Sequence, residues 1–375
     1  MRPSTAHAKE ATDGLHRDAE LSKLGLTRSA AGLCLYTRTN FDGYILVAVI
    51  VDDFIITGTS QTTVDRFKDE LNATWKMSDL GPLKWCLNLA VDRNTEKGEL
   101  TIKQTSYIND MMAKYGMTEA FECDTPSVPG THLEQVFVPE CDRDPNDIYA
   151  NIAGSLQHCR LTRPDICVAL SQVCQHNGAG KHDGTHMKAL KRILRYLKRT
   201  KQAGLHYKST RRKIGDPWTL EMYVDSDFAN DRVGRRSRAG WLIFLNGDLI
   251  SFGSRLQVSV AQSSTEAEYM ALSMAGKELL WIRNILTSIG ICLKTPIIVF
   301  EDNQPCIELA ENAMSSKRSR HIDMKHHWLR YYVNNGIFKL TYCHTKLQKA
   351  DGMTKPLPKW PFSEFRDYVV SAETI

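Results

Sequence analysis

The 375-residue sequence has no long apolar run. Its longest, Tyr44 to Val51, is far too short to cross a bilayer, so no membrane-spanning helix and no membrane partner are expected. A secretory signal is lacking too, because Met1 to Glu20 is broken by His7, Lys9, Glu10 and Asp13 and has no apolar centre. The 10 cysteines include no C-x-x-C pair and follow no repeated spacing, which points to reduced, mostly buried thiols in an intracellular protein. Cys159, Cys167 and Cys174 with His158 and His176 come nearest to a zinc set, but Pro164 interrupts them. No internal repeat is present. What the chain does have is 42% hydrophobic and 24% charged residues, as in a soluble globular protein too long for one ordinary core. Two or three domains are expected.

"VAVIVDDFIITG", Val47 to Gly58, sets Asp52 and Asp53 between two apolar runs at the tip of an expected buried hairpin. Burial and mutual repulsion would both raise carboxyl pKa values there. Asp is also a common turn residue, so an ordinary turn remains an alternative. A divalent cation would offset the repulsion, and magnesium takes carboxylate oxygens together with substrate phosphates.

The net charge is only +5, yet the cations are clustered. In "KALKRILRYLKRTK" (Lys188 to Lys201), Leu190, Ile193, Leu194 and Leu197 share one helical face, with Lys191, Arg192, Arg195, Lys198 and Arg199 outside it. "RVGRRSR" supplies Arg235, Arg236 and Arg238, and "KRSRH" spans Lys317 to His321. A solvated helix face is the plain reading. Together with suspected metal carboxylates, the clusters favour a phosphate backbone as partner.

Thr118 to Asn146 is rich in Pro, Asp and Thr without periodicity and reads as a long loop; Ser209 to Pro217 reads as a second polar boundary. From Trp218 the pattern predicts a strand, a hairpin around Asn246-Gly247, a long helix ending at Gly290, a strand over "PIIVFEDN", a helix from Gln304 to Glu311, a helix over "HIDMKHHWLRYYVNNG", a last strand over "FKLTYCHT" and a short helix over "LQKADGMTK". That order describes a mixed sheet flanked by helices. Four acids fall at element ends: Asp225, Glu268, Asp302 and Asp351. Each has an ordinary role open to it as a cap or surface acid. Converging at strand ends, however, they would disfavour folding unless cations sat between them, an arrangement suited to two-metal phosphoryl transfer. Ser263 and Glu266 can form a capping box, which frees Glu268 from that role.

"SSTEAEYMAL", "EDNQPCIELA", "SRHIDMKHHWLR" and "KADGMTKPL" closely resemble the ribonuclease H domain of copia-type retrotransposon Pol polyproteins. "VDDFIITG", "MSDLGPLKWCLNL", "GSLQHCRLTRPDI" and "ALKRILRYLKRT" resemble the same family's reverse transcriptase, in collinear order from about Leu21. The resemblance implies an α/β and α+β multidomain chain: an unstructured N-terminus at 1–20, a truncated reverse-transcriptase palm and start of thumb at 21–117, a thumb/connection at 118–215, a ribonuclease H-like domain at 216–362 and a C-terminal tail at 363–375. It implies that Asp225, Glu268, Asp302 and Asp351 are the metal-binding catalytic acids, with Mg2+ or Mn2+ as cofactor and an RNA–DNA hybrid as partner. It also implies that Asp52 and Asp53 are half of a polymerase site whose third aspartate lies on an earlier strand, so no DNA synthesis is expected from this chain alone. A full-length reverse transcriptase or other polyprotein parts are further candidate partners. An intracellular location follows, in cytoplasmic particles and the nucleus.

Several positions depart from the family pattern. Ile50 stands for a usual Tyr and Asn88 for a usual Gly. Glu301 stands for a usual Cys and is expected to face away from Asp302. Gly352 stands for an apolar residue and is expected to weaken the last helix. A catalytically silent binding remnant, or a subunit completing a longer reverse transcriptase, are the alternative functions. An integrase-type nuclease is set aside, since its three-acid pattern lacks the acid before "MTKPL".

Overall fold

Burial alternates residue by residue along Leu35–Asn40, Gly43–Ile50 and Asp53–Gly58, as in strands with one face on a core. The computed structural model describes residues 4–8, 14–208, 216–231, 234–311 and 328–371. It forms two compact units: Met1–Leu87 with Lys213–Pro217 and Leu280–Leu293, and Asn88–Arg212 with Trp218–Leu279 and Lys294–Ile375. Several sheets and many helices make it a mixed α/β chain.

The first unit contains β1 (Ser4–Ala8), α1 (Gly14–Lys23), β2 (Thr27–Arg28), β3 (Leu35–Asn40), β4 (Gly43–Ile50), β5 (Asp53–Gly58), α2 (Gln61–Thr74), β6 (Met77–Pro82) and the two-residue β7 (Trp85–Cys86). Six strands form one sheet in the order β2-β3-β4-β5-β1-β6. Helix α2 starts where the Ser60 hydroxyl accepts from Thr63 N at 3.0 Å. Its Val64, Phe67 and Leu71 pack with Tyr36, Val47, Val49, Phe54 and Ile56 of the sheet in one core. Within 1–20, expected to be unstructured, the described residues 4–8 and 14–20 form a strand and the start of a helix. Ser4–Ala8 pairs antiparallel with both β5 and β6, and α1 begins at Gly14. Strand pairing is made by backbone groups, so "STAHA" can pair without an apolar pattern that would announce it.

The second unit opens with β8 (Leu89–Asn94) and β9 (Glu99–Lys103), then α3 (Thr105–Lys114), α4 (Tyr149–Cys159), α5 (Cys167–Cys174), α6 (Gly184–Arg199) and β10 (Leu205–Lys208), which pairs with β9. The main sheet follows: β11 (Leu220–Asp227), β12 (Arg238–Leu245) and β13 (Asp248–Leu256), then β14 (Ile297–Glu301) and β15 (Phe338–Tyr342). Its order is β13-β12-β11-β14-β15. β11, β12 and β13 are antiparallel, whereas β14 lies parallel to both β11 and β15. The hairpin between β12 and β13 turns at Asn246 and Gly247, both at positive φ (53° and 89°), as a tight twisted hairpin requires. The helices are α7 (Ser264–Ser288), α8 (Gln304–Glu311), α9 (residues 328–334) and α10 (Lys359–Val369). The start of the expected "HIDMKHHWLR" helix, and the "KRSRH" cluster, lie outside the described residues. No described helix is long and apolar enough to cross a membrane.

One core joins Leu190, Ile193, Leu194 and Leu197 of α6 to Leu242 and Phe244 of β12 and to Phe362, Phe365 and Val369 of α10. The tail expected at 363–375 is therefore helix as far as Val369, held by apolar residues on one helical face. Gly352 does not lie in the helix expected over "LQKADGMTK". It sits in a 3-10 turn over Lys349–Met353, and a Cβ there would come within 2.4 Å of the Phe365 ring.

Candidate metal centre

Three of the four expected acids meet. One carboxylate oxygen from each of Asp225, Glu268 and Asp302 lies within 4.8 Å of the others, and among the described residues no such set includes Asp52 or Asp53. The convergence follows from the fold. Asp225 is near the end of β11, Asp302 directly follows β14, which runs parallel beside β11, and Glu268 lies in the first turns of α7. The α7 start has the expected Ser263 and Glu266: Ser263 Oγ accepts from Glu266 N at 3.2 Å, and Glu266 accepts from Gln262 N at 2.7 Å. The cap thus leaves Glu268 to the cluster.

The last turn is brought to Asp225 by a close backbone approach. Gly240 pairs with Asp225 across β11 and β12, and a Cβ on it would lie 2.7 Å from both Met353 and Thr354. Only glycine lets the turn settle there. Thr354, itself fully buried, donates from Oγ1 to Asp225 Oδ2 at 2.6 Å. Asp351 is half-buried and outside the three-acid set, and Lys355 Nζ donates to its Oδ1 at 2.8 Å. Thr345 Oγ1 donates to Asp302 Oδ2 at 2.8 Å.

Electrostatically the site is strained by its own acids. Burial, then the nearby charge of Asp351, pushes the Asp225 carboxyl up to about 7. Burial, then Glu301, Asp225 and Asp302, pushes Glu268 up to about 11. Glu301 is wholly buried, and burial pushes it well above its ordinary value. Although expected to face away from Asp302, it is the foremost charge acting on Glu268. One oxygen each of Glu268 and Glu301 is buried with no hydrogen-bond partner. Such carboxylate oxygens call for a proton or a cation. Hard oxygen donors at this spacing fit magnesium or manganese.

The polymerase-type pair looks different. Asp52 is exposed and Asp53 half-buried at the β4–β5 tip, so the expected burial is not found there. Val51 takes positive φ (54°) beside them, and its carbonyl accepts from Arg17 Nη1 at 2.7 Å. A β-branched residue in that region is unusual.

Residues 15–129 match the family model described as reverse transcriptase (RNA-dependent DNA polymerase). The chain is 32% identical over 343 residues to a retrovirus-related Pol polyprotein from transposon TNT 1-94 of Nicotiana tabacum, covering 90% of this chain and 25% of that protein. It is 32% identical to the Pol polyprotein from transposon RE1 of Arabidopsis thaliana, over 92% of this chain and 23% of that one. An uncharacterized mitochondrial protein of Arabidopsis thaliana is 35% identical over 62% of this chain and 91% of its own length. These matches support a copia-type retrotransposon Pol polyprotein fragment. The chain spans about a quarter of the length of the Pol relatives it matches. Among solved structures, an RNase H1 isolated from compost aligns with a TM-score of 0.30 and 15% identity, over 36% of this chain and 92% of that one, too slight a likeness to argue from.

In this copia-type chain most of the basic helix face is occupied by protein. Arg192 donates to Thr125 O and Oγ1 at 3.1 and 2.9 Å, Arg195 to Phe121 O, and Lys198 to Ala120 O at 2.9 Å. Arg199 pairs with Asp124 at 3.3 Å and Glu122 at 3.8 Å. Lys191 is exposed. In the "RVGRRSR" loop, Arg238 is buried on Ser171 Oγ at 2.6 Å and Arg236 pairs with Asp231 at 3.2 Å, while Arg235 is exposed. Four cations read as a phosphate-tracking face thus dock the loop Ala120–Thr125, Arg192, Arg195 and Lys198 on its backbone carbonyls and Arg199 on its carboxylates. Thr354 and Lys355 were not singled out by sequence reasoning, although both lie inside the quoted "KADGMTKPL". Nothing local marks their contacts with Asp225 and Asp351.

Proposed function

We propose that the second unit of this Pol chain is a metal-dependent ribonuclease H that hydrolyses the RNA strand of an RNA–DNA hybrid. The observation that carries the reading is the convergence of Asp225, Glu268 and Asp302 around buried carboxylate oxygen that has no partner. The sheet order, with antiparallel β13, β12 and β11 beside parallel β14 and β15, supports the same reading, as do the quoted family motifs.

Asp225, Glu268 and Asp302, with Asp351 recruited from Lys355, would hold the ions. Divalent cations bound there supply an activated water and neutralise the developing phosphate charge. Thr354 fixes the Asp225 carboxylate for that role, and Thr345 does the same for Asp302. Exposed Lys191 and Arg235 are the cations we assign to the nucleic-acid backbone. Recognition of the hybrid would rest on groove shape and 2′-hydroxyl contacts.

The first unit holds Asp52 and Asp53, and the strand beside β5, "STAHA", carries no carboxylate. We therefore assign no DNA synthesis to this chain alone. A second reading, a subunit completing a longer reverse transcriptase, draws support from Val51, Leu80, Trp85 and Leu87, all more than half exposed in that unit.

The test is cleavage of a labelled hybrid with Mg2+ or Mn2+ by wild type and Glu268→Gln, with primer extension assayed alongside. Metal-dependent cutting of the RNA strand, lost in the variant, and no extended primer are expected. Tight hybrid binding without cutting would overturn the enzyme reading and leave a binding module.

A further inference from the structure

Asp351 lies outside the three-acid set and has an ion-pair partner in its own turn. Lys355 Nζ donates to Asp351 Oδ1 at 2.8 Å, while the backbone N of Lys355 and of Thr354 donate to Asp351 O at 3.3 and 3.1 Å. Thr354 Oγ1 bridges the same carbonyl, at 3.0 Å, and Asp225 Oδ2. The turn therefore holds the ammonium at Asp351 while fastening both to Asp225. Lys355 is itself half-buried. Its charge also acts on Asp225, Asp227 and Glu268. Lys355 is thus the cation that this acidic site supplies for itself.

We propose that Lys355 is an intramolecular counter-ion that competes with divalent cations for Asp351, so that Asp351 joins the Asp225–Glu268–Asp302 centre only when its ion pair with Lys355 breaks. The inference rests on the metal reading above. It divides cation binding into two classes: one at the three converging acids, and a weaker one that depends on Asp351 and is opposed by Lys355. Lys355 is a positioning residue here, since it acts through Asp351.

The experiment is titration of Mn2+ into the full chain by calorimetry, comparing wild type with Lys355→Met, Lys355→Gln and Lys355→Arg. Circular dichroism first checks that each variant is folded, and the glutamine variant stands in if the methionine variant is not. Removing one ammonium beside a divalent cation at a part-exposed site should tighten the weaker class about tenfold. Lys355→Arg keeps the charge and should stay with wild type. Adding Asp351→Asn to Lys355→Met should remove the weaker class altogether. Weak-class affinity unchanged in both neutral variants would overturn the proposal while leaving the metal centre standing. No Mn2+ binding by wild type or any variant would overturn the metal centre, and this proposal with it.

Discussion

Asp225 lies under Thr354 at the end of a central strand, and its burial sets how the protein responds to pH. Its carboxyl is raised from 3.8 to about 7, first by burial and then by Asp351. A carboxyl with a raised folded value contributes its stability in full below its ordinary value and loses it as pH rises through the folded one. With a chelator present, Asp225→Asn should match the wild-type Tm near pH 4, and a gap in favour of the variant should open as pH climbs through about 7. Thermal melts across that range check this; parallel curves would show that Asp225 is not carrying the strain. Single residues of this kind were legible in sequence because an acid at a strand end is conspicuous. Lys355 was not, since its meaning depends on where the turn above Gly240 comes to rest.

Elements were legible to differing degrees, for reasons that can be named. Helix α8 runs from Gln304 to Glu311 as its pattern indicates, and the Asn246-Gly247 turn sits where the dipeptide requires positive φ. Helix α6 was recognised from its apolar face, but the use of its polar face was not. Amphipathicity shows which side of a helix is wet by default and says nothing about a loop that later covers it. Arg192, Arg195, Lys198 and Arg199 all reach Ala120–Thr125, more than sixty positions earlier in the chain. Arg192→Ala removes both hydrogen bonds to Thr125 and should lower unfolding stability by about 1–3 kcal/mol in urea. The same variant should leave the salt dependence of hybrid binding unchanged, because the guanidinium is already engaged. A shallower salt slope with unchanged stability would return that face to the nucleic acid.

For the whole molecule, patterning identified the mixed α/β character and most element positions, while pairings between distant segments stayed hidden. Ser4–Ala8 shows why: five residues with no apolar alternation lie between β5 and β6. Their presence has a consequence for solubility. Without them, β5 and β6 would each show an open row of amide and carbonyl groups, a template on which another copy could add a strand. Ser4–Ala8 would then act as an internal chaperone that keeps the first unit from polymerising. A chain lacking them should form concentration-dependent oligomers in light scattering, whereas one that stays monomeric at every concentration would show the two strands protected by other means. The segment with the least sequence character would then decide whether the molecule stays single.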